Sequence, residues 1–472
     1  MPAPIEPVRL RRLAWLATAA LLLLAAGGVR HHLVWGESER WPWLLPLLNA
    51  FEAGSVAGFT VLGGLAWWRG MRIAATERLA LRRLVLLSLP ILAAAILVPP
   101  FLSMDPIDYV VRGRVVTLHG GNPYVDVPST FADDPFLGYG DAPWKDFPLP
   151  YGPVVADLQG LVAWFANRFA FLPEPGELVV AIALFKLVFA GSLLGAAVVA
   201  RAIVRRLAPG SESRAFVAVL WNPLLLNECV AQCHNEALLL LTVLGAVGAL
   251  LAHRAGTAAL VLGVGVLVKF VPLLLGPHLL AVAVRQRRLG AFALGVGGAA
   301  ALAAMYWWQY FRVDGAFDFL SRQSAQNASS VLWGLQQLLG VEARTVLLPG
   351  RVLVVVAALV AVWQVWRRPE PRVLLTAVAA TMLTLVACGL TLHGPWYHVW
   401  WLPFALLLGS GYLFRAACIA SVSAPLGYLV WAFARRHDEP SQWLTLALGM
   451  LVPLLGALLW RPRAANSETP NG

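Results

Sequence analysis

The residues most able to do chemistry lie between Ser103 and Pro153. This stretch carries seven aspartates (Asp105, Asp108, Asp126, Asp133, Asp134, Asp141, Asp146) against three basic side chains (Arg112, Arg114, Lys145). That is a local balance of −4 in a chain of net +11. An acidic, aromatic island in a basic and otherwise apolar chain is a candidate for acid–base work. Asp105-Pro106-Ile107-Asp108 also reads as a helix start. Asp suits an N-cap, Pro the first helical position, and an acid three residues on completes a capping box. Capping and catalysis are compatible, because residues three apart share one helical face.

Other ionisable residues sit where hydrocarbon would be expected, and such residues are usually functional. His234-Asn235-Glu236 borders an apolar helix, although a solvated helix end would look the same. Lys269 interrupts an apolar run before Pro272, where it suits neutralisation of an anion; snorkelling is its plainer role. His393 and His398 frame Trp396-Tyr397. An aromatic belt explains the Trp and Tyr but not two histidines. Cys229, Cys233 and His234 have no fourth ligand at a usual zinc spacing, so no metal is expected. Asn327-Ala-Ser329 matches a glycosylation acceptor, a common pattern. No Gly-rich phosphate loop, Walker lysine, GxSxG or HExxH is present, so no cofactor and no nucleotide-bound donor is expected.

The elements that hold these residues are apolar. Hydrophobic residues make up 59% and charged residues 13% of 472 positions, against about 25% charged in soluble domains. Uninterrupted apolar runs exclude a barrel, whose strands alternate, and predict an all-α polytopic membrane protein of roughly 13 spanning helices. Basic residues cluster in short links, as the positive-inside rule requires, and no nucleic-acid motif accompanies them. The four cysteines read as small hydrophobes, and Leu13–Gly28 as an uncleaved first helix.

Helices are expected at Leu13–Val34, Trp43–Trp68 and Leu84–Phe101, which places 103–153 on the outer side as a loop carrying an interfacial helix, with Ile107, Val110, Val111 and Val115 towards lipid. Val154–Phe171 and Leu178–Ile203 follow. Both cannot span if the arginines after them are cytoplasmic, so one lies at the interface or re-enters. Phe216–Leu226 and Ala237–Ala252 bracket His234. Leu260–Val284 is broken at Lys269. Ala291–Tyr310 leads to a second outer loop, 311–347, containing Gln323, Asn327 and Trp333. Leu348–Trp366, Val373–Leu392, Trp396–Leu413, Ala417–Ala434 and Trp443–Trp460 complete one transmembrane domain, 1–460, and 461–472 reads as a disordered tail.

In order along the chain, Asp105-x3-Tyr109-x3-Gly113, Gly121-Asn122-Pro123-Tyr124, Asp134-Pro135-Phe136, Trp144 and Pro150-Tyr151-Gly152-Pro153 resemble the polyprenol-phosphate-mannose-dependent alpha-1,6-mannosyltransferases of the GT-C superfamily, which act in actinobacterial envelope synthesis. His234-Asn235-Glu236 is similar to the family's His-Asn-Asp, Lys269-Phe-Val-Pro272 to its Lys-x-x-Pro, and Asn327–Trp333 and Pro395-Trp396-Tyr397 to later segments. Two departures are the Glu at 236 and Gly394 between His393 and Pro395.

The resemblance implies an inverting, membrane-embedded hexosyltransferase with Asp105 as general base, moving mannose from a polyprenyl-phosphate donor to a lipid-linked or envelope glycan at the outer face of the cell membrane. A lipid phosphate leaves without a strong acid but needs cations beside it, a task for Lys269, Arg112, Arg114 or His398. Asp108, Arg112, Tyr124, Tyr151, His234, Asn235, Glu236, Lys269, Trp333, His393, Trp396, Tyr397 and His398 are the expected substrate-binding set. The partners would be donor, acceptor and membrane lipid, with no nucleic acid. The alternative is a polytopic secondary transporter or lipid-linked sugar flippase, for which an inverted repeat would speak; none is visible. A scaffold without catalysis is a third reading.

Overall fold

The computed structural model describes residues 5–34, 45–139, 144–310, 328–429 and 439–460. Asp141, Gln323, Asn327, residues 430–434 of the helix expected at Ala417–Ala434, and the tail from 461 lie outside them. Among the described residues regular structure is helical, with no strand beyond two isolated bridges at Ala328, Ser329 and Leu392.

The chain opens with α1 (Ile5–Val34), α2 (Leu45–Thr76) and α3 (Leu81–Leu97), with α1 packed on both of the others. The polar segment carries α4 (Asp105–Thr117). It is followed by α5 (Pro153–Ala166), α6 (Gly176–Leu207), α7 (Glu212–Leu220), α8 (Pro223–Leu226), α9 (Glu236–Leu251), α10 (Ala255–Val268), α11 (Gly276–Arg285) and α12 (Leu289–Tyr310). Later helices are Val331–Leu339, Ala343–Arg367, Pro371–Cys388, Leu402–Leu408, Tyr412–Ser423, Glu439–Leu446 and Val452–Leu459.

Six described helices are long and apolar enough to cross a membrane, or seven if the pair Pro223–Ala231 and Glu236–Leu251, bent by 120°, counts as one broken span. The expectation of about 13 counted apolar runs without regard to where they break. Val154–Phe171 is a 14-residue helix followed by a turn. At 1.5 Å per residue it rises about 21 Å, short of a hydrocarbon core about 30 Å thick. Trp396–Leu413 divides into a 3₁₀ turn, Pro395–Trp400, and the seven-residue helix Leu402–Leu408, closed by Gly409 at φ +76°. Within 311–347, the part from 328 onward is helical rather than looped, with Val331–Leu339 capped by Ser330, whose Oγ accepts from Trp333 N.

The fate of α4 differs most from expectation. It does not lie along a surface with one apolar side. All ten residues from Pro106 to Val115 are buried. The helix can enter the bundle because Gly113 faces α5, where a Cβ would come within 2.2 Å of the Gln159 carbonyl oxygen. Its charged residues are then paired inside. Arg112 Nε donates to Asp108 Oδ2 at 2.7 Å, and its two Nη groups donate to the carbonyls of Phe147 and Trp144. Arg114 donates to Asp134 at 2.8 Å and to Glu177 at 2.6 Å, with its guanidinium 4.5 Å over the Phe136 ring. These pairings fold the polar segment onto its own helix.

Candidate active site

Asp105 is the first residue of α4, yet it does not cap it. The N-cap is Met104, whose side chain makes no cap bond, and the first helical N–H, that of Asp105, donates to Ser103 Oγ at 3.2 Å. The carboxylate turns inward. Its Oδ2 accepts from Tyr109 OH at 3.2 Å and Tyr151 OH at 3.3 Å, and lies 3.8 Å from His234 Nε2. Oδ1 has no protein partner among the described residues. The side chain is 23% exposed while His234 is 1% exposed. Asp105 is therefore open to solvent or a ligand where His234 is not. Burial first, and then neighbouring negative charge, push the Tyr109 and Tyr151 phenols well above the ordinary range, so both remain O–H donors to the carboxylate.

Each partner is delivered by a distinct backbone device. Tyr151 stands in Pro150-Tyr-Gly-Pro153, which docks on the end of α10. Gly152 N donates to Val268 O at 3.0 Å, and a Cβ on Gly152 would fall 2.0 Å from the Leu267 carbonyl oxygen. This brings Tyr151 beside Lys269, whose Nζ is 5.2 Å from the tyrosine ring. The Gly121–Tyr124 turn supports the same loop. Asn122 Oδ1 accepts from Tyr124 N, Tyr124 OH donates to Tyr151 O, and the Tyr124 ring packs on Trp307 and Tyr310 of α12.

His234 follows a π-helical turn, Asn227–Ala231, and Cys233 at φ +64°. Non-glycine residues seldom occupy that left-handed region, and such strain collects at functional sites. Nδ1 of His234 faces two acceptors on Glu228, the carboxylate Oε2 at 3.2 Å and the carbonyl oxygen at 3.2 Å. Nδ1 therefore donates to Glu228, and Nε2 addresses Ser103 Oγ at 3.0 Å and Asp105. Glu228 is in turn fixed by Tyr428 OH at 2.9 Å and Asn227 Nδ2 at 2.8 Å. The next residue, Asn235, is fully buried with neither side-chain polar atom satisfied, while its N–H donates to Tyr109 OH.

Lys269 ends α10 in extended backbone. Nζ donates to Glu236 Oε1 at 2.5 Å and sits among the rings of Tyr151, Tyr397 and Trp400 at 5.2, 5.8 and 5.3 Å. The last two rings come from the 3₁₀ turn Pro395–Trp400. At three residues per turn this segment sorts its side chains by side. Tyr397 and Trp400 face Lys269, Trp396 lies 5.0 Å from the His234 ring, and His398 points away with Trp401.

The structure thus gathers Asp105, Tyr151, His234, Asn235, Glu236, Lys269, Trp396 and Tyr397. It directs others elsewhere. Asp108 and Arg112 satisfy each other, so Arg112 is a brace rather than a free cation, and Arg114 is likewise held by Asp134 and Glu177. Tyr124 supports the loop from behind. His393 and His398 form a second buried pair, Nε2 to Nε2 at 3.2 Å, with Trp401 Nε1 donating to His398 Nδ1. Trp333 packs on Trp443. Ser103, Glu228 and Tyr428 were missed as participants. An acid within an apolar run is a signal for Glu228; Tyr428, 200 positions away, gives none. No cluster of three or more potential metal ligands occurs among the described residues.

Helices long enough to cross a membrane and one partly open carboxylate set among phenols, an imidazole and a caged ammonium make this cluster a candidate for acid–base work. The chain is a member of the alpha-(1->6)-mannopyranosyltransferase family, whose N-terminal domain matches residues 13–285. That range holds every gathered residue except Trp396 and Tyr397. No curated protein matches the chain.

Proposed function

We propose that this chain is a polyprenyl-phosphate-mannose-dependent, inverting alpha-1,6-mannosyltransferase, acting at the outer face of the cell membrane on a lipid-linked or envelope glycan. The observation that carries this reading is the Asp105 carboxylate, which caps no helix, keeps one oxygen free of protein partners and is partly open. In the reaction Asp105 takes the proton of the acceptor hydroxyl as its oxygen attacks C1 of mannose. The C1–O bond breaks from the opposite side, and polyprenyl phosphate leaves with the electron pair. The phenols of Tyr109 and Tyr151 hold the base in line. Lys269 Nζ, 5.2 Å from the Tyr151 ring, donates one N–H to Glu236, and its remaining donors are what it offers the departing phosphate. Trp396 offers a flat face to the sugar ring.

The test is incubation of membranes carrying the chain with labelled polyprenyl-phosphate mannose and, separately, with a nucleotide-linked mannose. Transfer from the lipid donor alone is expected. Asp105→Asn should reduce it about 10²–10⁴-fold at unchanged protein level. Equal use of the nucleotide sugar would overturn the donor assignment, and full activity of the variant would remove Asp105 from the chemistry. Solute movement into proteoliposomes without sugar transfer would instead favour a transporter.

A further inference from the structure

A second polar feature lies far from Asp105. α1 carries Arg9 and Arg12, and α2 carries Arg69 and Arg72. Each pair is spaced three residues apart and so shares a helical face. The two faces meet across an open cleft of about 510 Å³ floored by Leu13 and Ile73. All four arginines are exposed, and none has a carboxylate partner among the described residues. From the end of α2 the chain enters α3 at Leu81, which rises about 25 Å before the segment holding Asp105 begins. The cleft is therefore about one helix length from the candidate active site and independent of it.

Four like charges around one space repel one another unless an anion joins them. Arginine presents planar forks that match phosphate oxygens in pairs. An apolar floor between two helices suits a ligand whose phosphate is attached to acyl chains better than a fully hydrated ion. We propose that this cleft is a binding site for the phosphate headgroup of an anionic phospholipid. The four guanidinium groups hold the phosphate, while Leu13 and Ile73 meet the start of the glycerol and acyl portion. General attraction between a basic face and an anionic leaflet would not need a cleft; the proposal is that these four positions bind more tightly than exposed arginines outside the cleft.

The experiment is native mass spectrometry of the full-length protein in detergent, titrated with phosphatidylglycerol or with phosphatidylcholine of the same acyl chains. Retention of one phosphatidylglycerol in preference to phosphatidylcholine is expected. The double variant Arg12→Gln/Arg69→Gln should weaken that retention roughly fivefold per arginine removed, leaving phosphatidylcholine binding unchanged. The control Arg11→Gln/Arg83→Gln alters exposed arginines outside the cleft and should have little effect. Equal loss in the control, or no headgroup preference, would overturn the proposal. Displacement of the lipid by inorganic pyrophosphate at matching affinity would assign the cleft to a free anion and overturn it as a lipid site.

Discussion

Glu228 stands behind His234, its Oε2 3.2 Å from Nδ1, on the side of the ring away from Asp105. The pair fixes the tilt of the imidazole and holds a proton on Nδ1. Glu228→Gln puts a neutral amide there and weakens a charge-assisted bond of about 1.5–3 kcal/mol. Transfer should slow by about 10- to 100-fold. Tyr428→Phe, which removes only the phenol that steadies Glu228, should cost less. Steady-state rates on both variants check the order.

Lys269 and Glu236 form a buried pair inside an aromatic cage. Removing either partner strands a charge away from water, at about 3–5 kcal/mol. Glu236→Gln and Lys269→Met should each lower the melting temperature in detergent. The double variant should recover much of the loss in stability but not the activity. Thermal unfolding beside transfer assays separates the two effects.

Two glycines set how closely backbones approach. A methyl group at 113 would overlap the Gln159 carbonyl, and one at 152 would overlap that of Leu267. Overpacking of this kind costs about 1–3 kcal/mol. Gly113→Ala and Gly152→Ala are expected to destabilise the protein, whereas Gly138→Ala, with nothing within 4 Å, should leave the melting temperature nearly unchanged.

Asp134 ties Arg114 and His119 to the turn at Phe136. Burial alone would raise its carboxyl, but bonds from His119, Arg114 and the Phe136 N–H outweigh that and lower it. A carboxylate depressed in the native state stabilises the fold above its unfolded value, 3.8, and that contribution disappears as pH falls through the lower native value. Melting temperature should therefore decline on acidification below about pH 4. The decline should be shallower in Asp134→Asn, which is already weakened at neutral pH.

Much of the site was legible because its residues break local rules. Asp105, His234, Glu236 and Lys269 are ionisable groups bordering apolar runs, and each is drawn into one cluster. What misled was periodicity. The apolar positions of α4 suggested a helix on a surface, but Arg112 and Arg114 find partners at Trp144, Phe147, Asp134 and Glu177, and such distant pairings leave no local trace. The roughly 13 spans expected from apolar runs and the six or seven helices long enough among the described residues differ for a related reason. Hydropathy registers that Val154–Phe171 and Trp396–Leu413 are apolar, and is blind to the turns that divide or shorten them. The distinction between the Lys269 side and the His398 side of one short segment also depends on its being 3₁₀ rather than α.

That last detail makes chain length at 395–400 informative in its own right. With three residues to each turn, one inserted or deleted residue rotates everything after it by about 120°. One residue removed would turn His398 and Trp401 towards the ammonium in place of Tyr397 and Trp400, and one residue added would turn Trp396 and Val399 there. A homologue with an insertion here should be read as having a different wall, even where its Trp, Tyr and His are all retained.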